Sequence, residues 1–133
     1  MLGRKEDELI QKVALFIRNL NHEAEKGSLI VVEGKRDKAA LRSLGFLGKM
    51  VMLCHNGSIN SLAESASSYK KTILLLDLDN EGRVLTKKAA KMLQGKTVID
   101  LAYRKELGAL TKGRIRHVEE LIRFKDFIMP IVQ

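Results

Sequence analysis

The sequence is short of the features that mark a secreted, membrane-bound or disulfide-stapled protein. A single cysteine, Cys54, excludes an internal disulfide. No apolar run approaches the ~20 residues needed to span a bilayer, and the opening Met1-Leu2-Gly3-Arg4-Lys5-Glu6-Asp7-Glu8 lacks the apolar segment of a signal peptide. A cytoplasmic protein with no membrane partner is expected, and Asn56-Gly57-Ser58 is then an accidental match to a glycosylation signal. The one proline, Pro130, leaves no proline-rich linker, and no repeat or low-complexity tract interrupts the chain.

Several catalytic signatures are missing too. Cys54-His55 lacks the spacing of a zinc site, so a buried cysteine beside a turn histidine is the plainer reading. His22 and His117 show no decipherable role. No Gly-x-Ser-x-Gly turn accompanies His55, Ser58 and Asp77, which removes a hydrolase triad. Glu33-Gly34-Lys35 lacks the preceding glycines of a Walker loop and has Arg36 where that loop needs Ser or Thr.

Against these absences stands an excess of positive charge. Lys and Arg number 24 against 16 acidic residues, a formal net charge of +8 over 133 residues, which favours a polyanionic partner such as nucleic acid. With 45% apolar residues the chain forms one domain, residues 1–133, with a real core. Leu9, Ile10, Val13, Phe16, Ile17 and Leu20 recur at helical spacing in an amphipathic leading segment, residues 1–26. Residues 27–101 alternate strand and helix. Strands are expected at Ser28 to Val32, Lys49 to Cys54, Thr72 to Leu76 and Thr97 to Leu101. Helices are expected over Asp37 to Leu44, after Ser58 as a cap, and from Gly82, where Leu85, Ala89, Met92 and Leu93 face inward. This rhythm predicts a small three-layer α/β sandwich, Rossmann-like, with a mainly parallel four-stranded sheet and helices on both faces. Residues 102–133 form a basic segment and a final helix with Val118, Leu121 and Ile122 as its apolar stripe.

Two of the strands end on carboxylates. Leu29-Ile30-Val31-Val32 runs into Glu33-Gly34, and Ile73-Leu74-Leu75-Leu76 runs into Asp77-Leu78-Asp79-Asn80-Glu81-Gly82. All-apolar runs of this length suit parallel strands buried on both faces, and such sheets bind ligands beyond their carboxyl ends. Alternation sends Asp77 and Asp79 to the same side. Two unit charges ~4 Å apart at an effective dielectric of ~20 repel by about 4 kcal/mol, which a divalent cation or a raised pKa would relieve.

A strand-terminal Glu33-Gly34 paired with a later Asp77-x-Asp79-x-x-Gly82 resembles the Toprim domain shared by topoisomerases, primases and some ribonucleases. The stretch from Val31 through Glu33-Gly34-Lys35-Arg36-Asp37 to Leu41 is especially similar to the ribosomal-RNA maturation nuclease and to compact stand-alone Toprim proteins of prokaryotes. Asn56-Gly57 matches a pair common after the family's second strand. The resemblance spans Ser28 to Asp100 and leaves both terminal helices uncovered. It implies that Asp77 and Asp79 hold Mg²⁺, with Mn²⁺ able to substitute, and that Glu33 is a general acid/base or a further ligand. The chemistry agrees, because Mg²⁺ takes hard oxygen ligands and keeps several waters. Glu81 and Asp37 are weaker candidates for groups behind the ligands, and each reads equally well as a helix-opening carboxylate.

Candidate phosphate contacts are Gly34, Lys35, Arg36, Gly82, Arg83 and Lys87 around the acidic edge, with Gly82 at a helix amino terminus. Lys88 and Lys91 read as solvated. Arg104, Lys105, Lys112, Arg114 and Arg116 form a nonspecific patch, without the aromatic interleaving that base stacking needs.

Departures from the family narrow the function. Tyr69 and Tyr103 are the only tyrosines, in a chain too short for the separate nucleophile domain of a topoisomerase, and the zinc and template regions of a primase are absent. What remains is a Mg²⁺-dependent nucleic-acid-processing protein, foremost a nuclease on structured RNA or DNA, with RNA favoured and a ribonucleoprotein as a further candidate partner. The alternative is a non-catalytic binding module of the same fold. A haloacid-type phosphotransferase with Asp77 as nucleophile is weakened by the absence of Thr after Asp79. No oligomeric state follows from the pattern.

Overall fold

The computed structural model describes residues 3–53 and 58–132. A long helix, α1 (Arg4–Glu25), leads into strand β1 (Ser28–Val32) and helix α2 (Lys35–Ser43). Strand β2 (Met50–Met52), helix α3 (Ser58–Ala66), strand β3 (Lys71–Leu74), helix α4 (Asn80–Leu93) and strand β4 (Val98–Asp100) continue the alternation. Helix α5 (Ala102–Leu110), a 3₁₀ helix (Val118–Phe124) and helix α6 (Lys125–Val132) complete it. All pairings are parallel, in the order β2-β1-β3-β4. The expected three-layer, Rossmann-like sandwich is what forms.

Alternate residues of the two central strands supply two separate cores. Ile30, Val32, Ile73 and Leu75 pack with Phe16, Ile17 and Leu20 of α1, Leu41 of α2, Leu107 of α5, and Val118, Leu121 and Ile128. Leu29, Val31, Leu74 and Leu76 pack on the other face with Leu62 and Ala66 of α3 and Ala89 and Leu93 of α4. The continuous apolar runs are explained by this burial on both faces.

Element limits differ from the sequence expectation for identifiable reasons. β2 and β4 are the sheet's edges, with one neighbour each, and both are shorter than Lys49 to Cys54 and Thr97 to Leu101. β3 stops pairing before Leu76, because the Leu76 and Asp77 carbonyls accept from the Arg104 guanidinium instead of a strand. α4 begins at Asn80, two residues ahead of Gly82, with Asp79 as its cap. The expected final helix is two pieces, and Ile122 lies exposed on the 3₁₀ helix while Val118 and Leu121 are buried. Cys54, His55 and the Asn56-Gly57 pair lie outside the described residues. Among the described residues no helix is long and apolar enough to cross a membrane.

The strand order places the site. From β1 the chain moves outward to β2, then returns past β1 to β3, so β1 and β3 flank the point where the order reverses. Connections diverge there and leave a crevice beyond the strand ends. Glu33 follows β1 and Asp77 follows β3, which puts both at that crevice.

Phe16 is fully buried, with its ring edge-on to Tyr103 at 5.7 Å between centroids. Phe16→Ala is expected to cost about 3–5 kcal/mol of unfolding free energy in urea titrations, whereas Ile122→Ala, half exposed, should stay within about 0.5 kcal/mol.

Candidate functional site

Glu33 and Asp77 meet across the crevice. The Asp77 backbone N–H donates to Glu33 Oε1 at 3.1 Å, which sets the two carboxyl groups side by side. Burial pushes Glu33 up to about 7, with the adjoining Asp77 carboxylate and then Asp79 adding to it; only the Asp77 N–H pulls the other way. Asp77 is itself buried, and its Oδ1 accepts from the Val118 N–H at 2.8 Å. Asp79 caps α4, its Oδ1 accepting from the Gly82 N–H at 2.7 Å.

The segment 116–120 lies across this edge as a strap. The Leu78 N–H donates to the Arg116 carbonyl at 2.6 Å, Val118 donates to Asp77, and the Glu119 N–H donates to Asp37 Oδ1 at 3.1 Å. His117 Nε2 lies 3.2 Å from Asp79 Oδ2. Desolvation pulls the His117 pKa down, but Asp77, Asp79 and Glu120 together raise it above its ordinary value. Sequence reasoning missed His117, since the carboxylates it faces at the strand end, Asp77 and Asp79, lie about forty residues away in the chain; the only local signal was Glu120 three residues on, the spacing of a helix-capping box.

Asp37 is buried in the first turn of α2, where its Oδ2 accepts from the Gly34 N–H at 3.1 Å. Burial and the Asp77 charge raise its pKa, opposed by the two N–H donors. It thus ties the Glu33-Gly34 turn to the strap. Glu81 is exposed in the first turn of α4.

A cleft of about 360 Å³ opens between Glu33, Gly34, Lys35, Arg36, Asp37, Asp77, His117 and Glu119. Lys35 and Arg36 are exposed there, and Arg83 and Lys87 are exposed one turn apart on α4. The basic patch expected in the C-terminal segment is divided. Arg104 is half-buried and turned inward, donating from Nη2 to the Asp77 carbonyl at 2.8 Å and from Nε to those of Leu76 and Asp77. Lys112 and Arg114 line a separate groove beside Lys5 and Lys12 of α1. Lys105 is exposed on α5, and Arg116 is exposed on the strap.

The two glycines differ. A Cβ on Gly82 would overlap the Asp77 carbonyl and come within 3.0 Å of Glu33 Oε1, so only glycine lets α4 approach the β3 end. Its N–H, expected to face phosphate, is already taken by Asp79. A Cβ on Gly34 would meet nothing within 4 Å.

Which ion could this donor set hold? Among the described residues no three Asp, Glu, His or Cys side chains form a ready-made cage. Each carboxylate offers about four acceptor positions and uses only part of them on N–H donors. Hard oxygens, mutual repulsion recorded at Glu33 and an open cleft suit a small divalent cation that keeps much of its water.

The Toprim domain model matches residues 28–118 of the chain, taking in Arg104 and the strap as far as Val118. A UPF0292 protein of Thermococcus gammatolerans is 36% identical over 115 residues, spanning 86% of this chain and 78% of that protein. One from Thermococcus onnurineus is 37% identical over 93 residues, 69% of each. A solved structure of a protein from Aquifex aeolicus is similar with a TM-score of 0.68 at 28% identity, covering 81% of this chain and 96% of that one.

The glycine contrast can be measured. Gly82→Ala should destabilise by about 1–3 kcal/mol as the α4 start is pushed off Asp77, while Gly34→Ser, at a helix cap with open space, should be neutral or a few tenths of a kcal/mol stabilising in the same urea titration.

Proposed function

The chain belongs to the Toprim family, whose domains bind divalent metals and serve nucleic-acid-related functions, and from that premise we propose that it is a Mg²⁺-dependent phosphodiester hydrolase acting on structured RNA or DNA. The observation that carries the reading is Glu33, with its pKa pushed up to about 7 beside Asp77, in a cleft that Lys35 and Arg36 also line. Asp77 and Asp79 are the proposed holders of the cation, with Glu33 at its margin. Magnesium, when bound, polarises the phosphodiester and offsets the charge that develops on it.

The chain's own groups do the rest. Glu33, at the margin of the cation site, is placed to take a proton from an attacking water and pass one to the leaving oxygen. Lys35 and Arg36 grip the flanking phosphates, Arg36 by paired N–H donors and Lys35 as a compact charge. Arg104 fixes the carbonyls of Leu76 and Asp77 from behind and brings positive charge close to all three carboxylates. Arg83 and Lys87 extend the basic surface along α4. RNA is the favoured polymer, with Mn²⁺ able to replace Mg²⁺ and a ribonucleoprotein as a further candidate partner.

A second reading, binding without turnover, draws on one feature. Glu33, Asp77 and Asp79 each already accept a backbone N–H, from Asp77, Val118 and Gly82 respectively, which is also what purely structural carboxylates do.

Incubation with structured RNA and DNA, with and without Mg²⁺ or Mn²⁺, separates the two. The hydrolase reading expects metal-dependent cleavage that falls by about 10²-fold or more in Glu33→Gln and disappears in Asp77→Asn, with circular dichroism unchanged. Full activity in both variants contradicts it. Binding that survives both changes, weakens with salt at a log–log slope of about −0.7 per single-strand phosphate contact, and is never followed by cleavage establishes the second reading.

A further inference from the structure

The cation site proposed above is made of oxygens alone, yet the strap sets an imidazole against it. His117 presents Nε2 to Asp79 Oδ2 at 3.2 Å and Nδ1 to Glu120 Oε2 at 3.6 Å. Glu120 is itself held, since the same Oε2 accepts the N–H groups of Arg116 and His117, each at 2.8 Å. The ring is half exposed, and it lines the cleft that contains Glu33 and Asp77.

Two features of this arrangement are those of a metal ligand. Neighbouring ligand atoms on an octahedral ion with bonds of ~2.1 Å lie about 3 Å apart, which is close to the Nε2 to Oδ2 separation. A metal-binding histidine also almost always sends its other ring nitrogen to a carboxylate or carbonyl, which fixes the ring's orientation and tautomer. Glu120, pinned by two backbone donors, stands on that side of the ring, 3.6 Å from Nδ1 and just beyond hydrogen-bond reach.

We propose that Asp79 Oδ2 and His117 Nε2 together grip the cation, that Glu120 is the positioning residue that orients the ring, and that the site therefore prefers Mn²⁺ to Mg²⁺. Imidazole nitrogen favours first-row transition ions, whereas Mg²⁺ takes oxygen and water. The strap thereby becomes part of the site. The inference rests on the carboxylate cation reading and adds to it a nitrogen ligand contributed from the C-terminal side of the fold.

The test is Mn²⁺ binding followed by electron paramagnetic resonance, with Mg²⁺ as competitor, on the full chain labelled with ¹⁵N-histidine. Pulsed spectra should show a directly bonded imidazole nitrogen, and Mn²⁺ should bind about tenfold or more tightly than Mg²⁺. His117→Ala should abolish the nitrogen coupling and weaken Mn²⁺ by about tenfold or more, with Mg²⁺ affinity changed less than threefold. Glu120→Gln should weaken Mn²⁺ by about 10-fold and alter the coupling without removing it. Mn²⁺ binding to the wild type with no nitrogen coupling overturns the proposal while leaving the carboxylate reading in place, and this outcome needs no variant to fold. A coupling that persists in His117→Ala overturns it too, by assigning the nitrogen to another histidine. Failure of the wild type to bind either ion overturns the carboxylate reading and this proposal together.

Discussion

Two parallel strands that separate at the middle of the sheet leave Glu33 and Asp77 facing each other across a gap, with Asp79 two residues on. Crowded negative charge there is the constraint that the surrounding structure answers. Arg104 binds the carbonyls behind Asp77, Gly82 gives α4 room to cap onto Asp79, and the strap delivers the Val118 N–H to Asp77 and His117 to Asp79. Removing the charge would leave these contacts without a common purpose. What they do not remove is the strain on Glu33, whose pKa burial raises first and the neighbouring Asp77 and Asp79 charges raise further.

The same constraint explains why so much of the chain outside the central sheet converges on one edge. α1, α5, the 3₁₀ helix and α6 share a single core with one face of the sheet. Burying Val118 and Leu121 in that core anchors the strap, and the strap's N–H groups then reach Asp37 and Asp77. Apolar packing on one layer thus sets polar geometry at the strand ends. Asp37 links the two ends of this arrangement, since it accepts from Gly34 with one oxygen and from Glu119 with the other.

Local sequence carries the sheet plainly and the site in part. Runs such as Leu29 to Val32 can only be satisfied by burial on both faces, so the parallel sandwich and the carboxylates at its edge follow from composition and alternation. Edge strands are less legible, because Met50–Met52 and Val98–Asp100 depend on a single neighbour. Arg104 read as one more cation of a surface patch, and its inward turn is decided by carbonyls nearly thirty residues earlier in the chain. His117 was opaque for the same reason: its place at the site comes from Asp79, thirty-eight residues earlier, whereas the nearby Glu120 announces only a helix start.

The most direct test is the titration of the Glu33 carboxyl carbon by ¹³C NMR, with and without Mg²⁺. Without metal, the Glu33 carboxyl should titrate with a step near 7, well above the ordinary 4.5 of a glutamate. Between those values the folded chain keeps a proton that the unfolded chain has lost, so metal-free stability should fall as pH rises through that window. Saturating Mg²⁺ should bring the step down toward the ordinary value and lift the stability lost at neutral pH. A Glu33 carboxyl that titrates near 4.5 without metal, or one near 7 that Mg²⁺ leaves unmoved, would contradict a carboxylate cluster built for a cation.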